Sequence, residues 1–302
     1  MYFRFSNVQF ICNITMSPSR LNGAIVSLKR DSEGSYKAFM KLNQNFRRGI
    51  EYNYTVCLEQ PVYGNISPSL FVQWAEANRI FGAQKILVHT LELSTTLRQY
   101  LGYYTTKGFI ETLPWTFPPG LTDETHCHLQ QTMISDCQYR LRGWSRFVVM
   151  ADVDELIVPR HPDDKTWTDM IKRAPCPADV TYYGGRHLLY RLPPNSSESN
   201  DTGLTILDRL HRNELIYVYP IRGKYMGDPG KIVGDMVTHS VSGPIIHSDK
   251  MCIMPVTVGG NHHYRRTPLK MKSNTWILDN ITLKYSDLLK RRIAEVEQNL
   301  RY

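Results

Sequence analysis

The order of apolar and polar positions predicts strands and helices in alternation from residue 54 onward. Four runs of mostly apolar residues are typical of buried strands and cover residues 54–58, 85–89, 109–113 and 146–151. Three stretches between them have apolar residues at the helical spacing of about 3.6 and cover residues 68–81, 95–107 and 122–141. Pro68 suits the first turn of the first helix, and a glycine follows the end of each of the three.

This alternation predicts an α/β fold with a Rossmann-like, mostly parallel sheet flanked by helices. The fourth strand is apolar from Phe147 to Ala151, so we expect it at the centre of the sheet and covered on both faces. Ligands of such sheets bind beyond the carboxyl ends of the strands. Residues 152–155 directly follow the fourth strand and therefore lie where a ligand is expected.

The first 53 residues have a different pattern, in which glycine, asparagine and serine interrupt short apolar runs. The runs lie at residues 8–14, 23–28 and 36–42 and are typical of strands. We therefore predict a β-rich lead-in over residues 1–53, followed by one main domain over residues 54–302. The pattern leaves open whether the lead-in is a whole element or the remnant of a longer N-terminal region.

The second half of the chain is less regular. Residues 179–190 predict a strand pair around Gly184 and Gly185. The polar residues 192–203 predict a solvent-exposed loop. Residues 285–300 have apolar positions along one face only, which predicts an amphipathic helix that packs on the core.

The tetrapeptide Asp152-Val153-Asp154-Glu155 carries the candidate chemistry. Two carboxylates at positions i and i+2 can converge on one divalent cation where a strand ends in a turn. Oxygen ligands suit Mn²⁺ or Mg²⁺, which keep coordination positions for water and phosphate oxygens. A cation held there would neutralise charge on a diphosphate leaving group. A D-x-D alone is common in turns and helix caps, so the apolar strand before it is what favours this interpretation.

A second class of enzyme also places D-x-D after a strand. In phosphatases of the haloacid-dehalogenase type the first aspartate is a nucleophile, and a small residue followed by threonine or valine continues the motif. Here Glu155 and Leu156 follow instead, and no early position of the chain carries the motif. The phosphatase remains the weaker alternative.

The composition is that of an ordinary globular protein, and its charge favours acidic partners such as phosphates. Hydrophobic residues make up 42% and charged residues 21%, with a formal net charge of +8. The basic residues are scattered, and the densest run, at 290–292, lies in the predicted C-terminal helix. We therefore expect no nucleic-acid partner. No apolar stretch approaches the ~18 residues that a membrane span needs.

Glycosylation sites and cysteines indicate the lumen of the secretory pathway. The chain has six N-x-S/T sites, at Asn13, Asn53, Asn65, Asn195, Asn200 and Asn280. It also has six cysteines and no C-x-x-C pair that would hold zinc. Residues 1–11 resemble neither a signal peptide nor an anchor. We therefore expect an upstream targeting segment, absent from this chain, that would associate the protein with a membrane.

Several ordered stretches of the chain carry a resemblance to a known family. They are residues 54–58 with 61–64, 71–76 with 81–82, 130–137 with 139–140, 145–156, 231–233, His247 and 263–265. In their order and spacing these stretches resemble glycosyltransferase family 92 over residues 54–266. The chain departs from the family at Leu156, where phenylalanine is preferred, and at residues 193–202, which are rich in polar residues and glycosylation sites.

The resemblance implies a GT-A fold and a manganese-dependent, inverting hexosyltransferase of the Golgi that moves galactose from UDP-galactose onto a glycan acceptor. It implies that Asp152 and Asp154 bind the metal and the nucleotide sugar. A later histidine would complete the metal shell, and His263 and His247 are both eligible. His239 is a weaker third choice.

The remaining site residues come from the same resemblance and from their chemistry. Tyr63, Gln130 and Arg265 would bind the nucleotide sugar, and the guanidinium of Arg265 suits a phosphate. Asp208 is the candidate base that takes the proton of the acceptor hydroxyl. Trp115 or Tyr264 would stack on a sugar or base. Cys137 is expected in a disulfide or in the core and not as a nucleophile.

The sequence leaves a non-enzymatic interpretation open beside the transferase. A relative without activity would bind glycans or nucleotide sugars and transfer nothing. The intact pair of Asp152 and Asp154 argues against that interpretation. Release of UDP from a nucleotide sugar distinguishes the two, and hydrolysis of simple phosphate esters would instead identify the phosphatase.

Overall fold

The computed structural model describes residues 23–30, 34–41, 49–62, 66–116, 129–192, 203–232, 234–242, 250–265 and 275–300. The strands, in chain order, are β1 (Gly23–Arg30), β2 (Gly34–Lys41), β3 (Tyr52–Leu58), β4 (Lys85–Thr90), β5 (Ile110–Pro114), β6 (Ser145–Ala151), β7 (Glu155–Pro159), β8 (Tyr182–Gly185), β9 (His187–Arg191), β10 (His211–Asn213), β11 (Lys224–Gly227), β12 (Asp235–Val237), β13 (Ser240–Ser242), β14 (Met251–Ile253), β15 (Gly259–Tyr264) and β16 (Trp276–Leu278). The helices are α1 (Pro68–Phe81), α2 (Thr95–Thr106), α3 (Gln130–Leu141), α4 (Trp167–Arg173), α5 (Thr205–Asp208) and α6 (Ser286–Leu300).

A seven-stranded sheet in the order β14-β8-β11-β6-β3-β4-β5 forms the centre of the molecule. Strands β6, β3, β4 and β5 are parallel neighbours, as the alternating pattern predicts. Strand β6 occupies the middle position, and Val148, Val149, Met150 and Ala151 are fully buried. The predicted mixed α/β fold with a parallel sheet flanked by helices is confirmed.

Helices α1 and α2, which precede and follow β4 in the chain, each begin after a serine that caps the helix. The Ser67 side chain accepts a hydrogen bond from the Leu70 amide, and Gly82 closes α1 with a φ of 118° that suits glycine. Ser94 caps α2 in the same way through the Leu97 amide. The third helix was predicted to begin at residue 122, but α3 begins at Gln130. The prediction is wrong at residue 129, because Leu129 has a φ of 60°, outside the helical region. Residues 122–128 of that prediction lie outside the described residues.

A second sheet, in the order β16-β10-β9-β15-β7, contains five of the ten described strands that follow β6. The two strands predicted over residues 179–190 are present as β8 and β9, but their predicted pairing is wrong, because β8 belongs to the central sheet and β9 to this one. The chain passes between the sheets at Gly184 and Gly185, where neighbours crowd the backbone. A Cβ atom at Gly184 would lie 2.8 Å from the Tyr219 ring, and one at Gly185 would lie 3.2 Å from the Asn261 amide. Two adjacent residues without side chains allow this close approach.

The two ends of the described chain form a hairpin and a helix. Strands β1 and β2 pair antiparallel from Gly23 opposite Lys41 to Arg30 opposite Gly34, in agreement with the strands predicted there. The predicted run at residues 8–14 and residues 193–202 of the loop predicted over 192–203 lie outside the described residues, and the domain boundary stays a prediction. The C-terminal helix α6 buries Leu289 and Val296, as its amphipathic pattern predicts. None of the described helices is long and apolar enough to cross a membrane.

Two of the six glycosylation sites fall on described residues. Asn53 in β3 and Asn280 before the last helix are both exposed. An oligosaccharide could therefore be attached at either asparagine without disturbing the core. Asn13, Asn65, Asn195 and Asn200 lie outside the described residues.

Four of the six cysteines form two disulfides. Cys57 in β3 bonds to Cys137 in α3, and Cys176 bonds to Cys252 in β14. Cys137 is therefore a disulfide partner and not a thiol nucleophile, in agreement with the sequence. Cys12 and Cys127 lie outside the described residues. Disulfides persist in oxidising compartments, and the lumen of the secretory pathway is one of them.

Replacing Cys57 and Cys137 together with alanine is expected to lower the free energy of unfolding by ~2–4 kcal/mol. The bond closes a separation of 80 residues, so its loss enlarges the ensemble of unfolded conformations. Denaturant unfolding of the purified protein measures the change. The Cys176–Cys252 disulfide closes a similar separation of 76 residues, so the Cys176→Ala/Cys252→Ala double variant is expected to lose a similar amount and serves as the comparison. An unchanged unfolding midpoint in the first variant would contradict the expectation.

Candidate active site

The acidic motif forms the turn that carries the chain from one sheet to the other. Residues 152–154 lie between β6 of the central sheet and β7 of the second sheet. The Glu155 amide donates to the Asp152 carbonyl at 3.1 Å, and the Tyr264 amide donates to the Asp154 carbonyl at 2.8 Å. The indole N–H of Trp74, from α1, donates to the Glu155 carbonyl at 3.1 Å. Hydrogen bonds from two other elements therefore fix the turn at the carboxyl end of β6.

Asp154 meets a histidine from the neighbouring strand. His263 Nε2 lies 3.2 Å from Asp154 Oδ2, because β15 pairs antiparallel with β7 and places His263 opposite Glu155. The other ring nitrogen, Nδ1, lies 3.1 Å from Glu155 Oε1 and 3.0 Å from His187 Nε2. The Asp154 side chain is 31% exposed and the His263 side chain 14% exposed, so this pair faces the solvent side of the cluster.

The two histidines have opposite charge preferences. Burial by itself would lower the pKa of His263, but hydrogen bonds to Asp154 and Glu155 raise it to about 10. Burial, together with the nearby charge of His263, lowers the pKa of His187 to about 3. At neutral pH and without a metal, His263 is therefore an imidazolium between two carboxylates and His187 is neutral. A divalent cation would replace the proton of His263.

A buried lysine lies on the other side of the motif. Lys224 Nζ lies 2.6 Å from Glu59 Oε2, 3.0 Å from Asp152 Oδ2 and 3.1 Å from Glu155 Oε2, and its side chain is fully buried. Burial opposes its charge, but the three carboxylates hold the pKa of Lys224 well above its usual value. Burial also favours protonation of the carboxyls, yet Lys224 and His263 keep the pKa of Glu155 well below its usual range.

The donor atoms present fit a divalent cation. Nitrogen or oxygen atoms of Glu155, His187 and His263 all lie within 4.8 Å of one another, and Asp154 contacts His263 from the exposed side. Carboxylates with imidazole are suitable ligands for manganese. Asp152 Oδ1 and His187 Nδ1 are buried and have no hydrogen-bond partner among the described residues. Buried polar atoms without partners indicate that a ligand is expected here.

Sequence reasoning missed three residues of this site, namely Glu59, His187 and Lys224. Glu59 could have been found, because it directly follows β3, and Leu58 lies opposite Ala151 in the parallel neighbour β6. Its position after a strand end is therefore the same as that of Asp152. His187 and Lys224 lie in short strands whose place in the sheets no local pattern indicates.

The remaining predicted residues have varied surroundings. Arg265 is exposed and directly follows β15, close to His263 in sequence. Gln130 is buried as the first residue of α3. Asp208 ends α5 and accepts a hydrogen bond from the Leu204 amide at 3.1 Å. His239 donates from Nδ1 to the Gly223 carbonyl at 3.0 Å. Tyr63 and His247 lie outside the described residues, so their roles stay predictions.

The stacking role predicted for Tyr264 is wrong. Its side chain is buried, its ring lies 5.3 Å from that of Tyr190, and its hydroxyl lies 3.0 Å from His262 Nδ1. The alternation of side chains along β15 explains this, because His263 faces the site and its neighbour must face away. Trp115 is half-buried with its ring 5.0 Å from that of His89, and its stacking role stays a prediction.

Comparison with known proteins identifies the family. The sequence profile of glycosyltransferase family 92 matches residues 52–301. The chain belongs to glycosyltransferase family 92. The match includes the acidic turn, both histidines of the site and Lys224.

More distant similarities accompany the family match. The chain is 29% identical over 113 residues to beta-1,4-galactosyltransferase galt-1 of Caenorhabditis elegans, over 36% of this chain. That match spans 26% of the length of the relative. A crystal structure of a mycobacterial protein is similar with a TM-score of 0.39 and 12% identity, over 72% of this chain and 69% of that one. A crystal structure of S. aureus TarS has a TM-score of 0.37 and 10% identity, over 70% of this chain and 37% of that one. TM-scores this low do not identify a fold.

Proposed function

We propose that this glycosyltransferase is a metal-dependent, inverting enzyme that transfers galactose from UDP-galactose to a glycan. The observation that carries the proposal is the contact of Asp154 with His263, beside Glu155 and His187, at the carboxyl end of a parallel sheet. The similarity to a beta-1,4-galactosyltransferase supports galactose as the sugar. The strand–helix alternation before the acidic turn supports a GT-A arrangement.

Each residue of the cluster has a proposed task. Asp154 and His263 Nε2 would hold Mn²⁺ or Mg²⁺, while His187 contacts the other ring nitrogen of His263. When bound, the cation neutralises charge on the diphosphate leaving group. Glu155 orients His263 through its Nδ1, as carboxylates commonly do for metal-bound histidines. Asp152 Oδ1 has no hydrogen-bond partner among the described residues and would accept a hydrogen bond from a hydroxyl group of the nucleotide sugar.

Proton transfer and phosphate binding would fall to residues outside the cluster. Inversion by a single displacement needs a carboxylate that takes the proton of the acceptor hydroxyl as the new bond forms. We keep Asp208 as the proposed base. Arg265 would donate two hydrogen bonds to the phosphates of the donor. The disulfides and the exposed glycosylation sites at Asn53 and Asn280 support action in the lumen of the Golgi.

Purified protein with Mn²⁺ is expected to release UDP from UDP-galactose when a suitable glycan is present. A coupled assay measures the release of UDP. The nucleotide sugar and the glycan are each varied over a panel. Chelation of the metal should remove the activity, and adding Mn²⁺ back should restore it. If UDP were released only from another nucleotide sugar, the sugar of that substrate would replace galactose in the proposal.

Two results would contradict the transferase itself. Binding of UDP without release from any nucleotide sugar would identify a catalytically inactive relative. Hydrolysis of simple phosphate esters with Mg²⁺ and no acceptor would identify the D-x-D phosphatase. Calorimetry measures the binding of UDP with and without Mn²⁺. Binding without turnover would indicate that the suitable glycan is missing, and absence of binding would indicate that the nucleotide-sugar site does not work.

A further inference from the structure

We propose that an oligosaccharide on Asn280 covers the outer edge of the second sheet at β16 and prevents copies of the protein from associating there. The inference rests on the luminal location given in the proposed function and not on the transfer reaction. It gives one of the two described glycosylation sites a task that the other does not have.

Strand β16 is the outermost strand of the second sheet among the described residues. It pairs antiparallel with β10, with Leu278 opposite His211, and no described strand lies on its other side. A strand with one free side presents backbone N–H and C=O groups that can pair with a strand of another molecule. Natural proteins cover or charge such edges to prevent this association.

The free edge at β16 is also apolar. Eight large apolar or aromatic residues are exposed among the described residues, and three of them, Ile277, Leu278 and Leu283, lie within the stretch 277–283. Their exposed fractions are 39%, 63% and 42%. Single exposed apolar residues are common, whereas a cluster at a free strand edge is typical of a surface that another group covers.

Asn280 lies in the middle of this cluster. It is exposed and is the first residue of the N-x-S/T site that Thr282 completes. An extended chain spans at most about 3.6 Å per residue, so the Cα atoms of Ile277, Leu278 and Leu283 lie within about 11 Å of that of Asn280. An N-linked oligosaccharide is bulky and solubilising, and at this distance it would cover the edge. The chain itself therefore carries the attachment point of the group that covers β16.

The oligosaccharide must be attached before this segment folds. The enzyme that attaches it reads the hydroxyl of the third residue of the site, but Thr282 is only 1% exposed in the folded protein. Attachment joins Asn280 Nδ2 to the first sugar of a lipid-linked oligosaccharide, breaks the bond between that sugar and the lipid diphosphate, and releases an amide proton. The oligosaccharide is therefore present when β16 first forms, while unpaired strand edges are prone to aggregation.

Asn53 provides the matched control. It is also exposed, and a buried residue, Thr55, completes its site in the same way. Its strand β3 lies between β6 and β4, so both sides of the strand are paired. Among the described residues, Ile50 is the only exposed large apolar side chain within three positions of it. An oligosaccharide on Asn53 would therefore cover no free edge.

Mass spectrometry of the whole protein, produced in animal cells, is expected to find an oligosaccharide on Asn280. Asn280→Gln should raise the molar mass in light scattering at least about twofold over wild type, because copies associate through β16. Asn53→Gln should leave the molar mass of the protein part unchanged. The Asn280 side chain makes no capping hydrogen bond to the helical turn Ile281–Tyr285 that follows, so the substitution removes no cap. Circular dichroism checks that each variant is folded.

A second substitution separates exposure of the edge from misfolding. Leu278→Lys places a charge at the free edge, which opposes strand pairing between copies. The Asn280→Gln/Leu278→Lys protein is therefore expected to return to the molar mass of wild type. Trimming the oligosaccharides of folded wild type with an endoglycosidase should cause the same association as Asn280→Gln, without any substitution.

The outcomes separate this inference from the proposed function. An unmodified Asn280 beside a glycosylated Asn53 would overturn the inference alone. An Asn280→Gln protein with the molar mass of wild type, or association that Leu278→Lys does not reverse, would do the same. If neither asparagine carried an oligosaccharide, the luminal location and the inference would both be overturned, and UDP release would still test the transfer reaction by itself.

Discussion

Replacing Asp154 with asparagine is expected to lower kcat/KM for UDP-galactose at least about 100-fold, or ~2.7 kcal/mol of transition-state stabilisation. The substitution keeps the size of the side chain and removes its negative charge. His263 would then lack one of the two carboxylates that it contacts, and a metal would lose its exposed oxygen ligand. Steady-state release of UDP with saturating glycan and a range of Mn²⁺ concentrations measures the effect.

Asp163→Asn is the matched control for this substitution. Asp163 also lies in a turn, but its side chain is 82% exposed and contacts His161. Its loss of charge should leave kcat/KM unchanged. An Asp154→Asn protein with kcat/KM within about threefold of wild type would exclude Asp154 from the metal site and leave the proposed mechanism without its central residue.

Replacing Trp74 with alanine is expected to lower the free energy of unfolding by ~3–5 kcal/mol. The indole is only 1% exposed, packs beside Phe71 and donates to the carbonyl of Glu155. The substitution would leave a large cavity between α1 and the acidic turn, together with a buried carbonyl that has lost a donor. Denaturant unfolding followed by tryptophan fluorescence or circular dichroism measures the change.

Trp74→Phe separates the two contributions. It keeps most of the buried ring and removes only the N–H group, so we expect a loss of ~1–3 kcal/mol from the unpaired carbonyl and the smaller ring. If Trp74→Ala and wild type unfolded at the same denaturant concentration, the indole would not support the turn. If Trp74→Phe kept its stability but lost activity, the hydrogen bond to Glu155 would act on the site more than on the fold.

The first half of the fold can be predicted from local signals. Each predicted strand and helix between residues 54 and 151 has its own apolar period, and Ser67, Pro68 and Gly82 mark the ends of α1 within one turn. The alternation of strands and helices then restricts the connections to parallel ones. Asp152 and Asp154 could be predicted for the same reason, since they adjoin a strand whose burial is evident from its composition.

The strands of the second half cannot be predicted in this way, because they are short. Strands β8, β10, β11, β12 and β14 have three or four residues each, too few for a period to show. Lys224 would be assigned to the surface by its residue type alone, since lysine is almost never fully buried without a partner. Its partners, Glu59 and Asp152, are 165 and 72 positions away in the chain.

The sequence by itself determined the parallel strands and their helices, the amphipathic last helix and the position of the two aspartates after the central strand. Only the tertiary structure decided which histidine meets Asp154, that Tyr264 faces the core and that Lys224 lies among three carboxylates. The first group depends on periodicity and capping within a few residues. The second depends on the order and register of strands from distant parts of the chain, which local patterns do not encode.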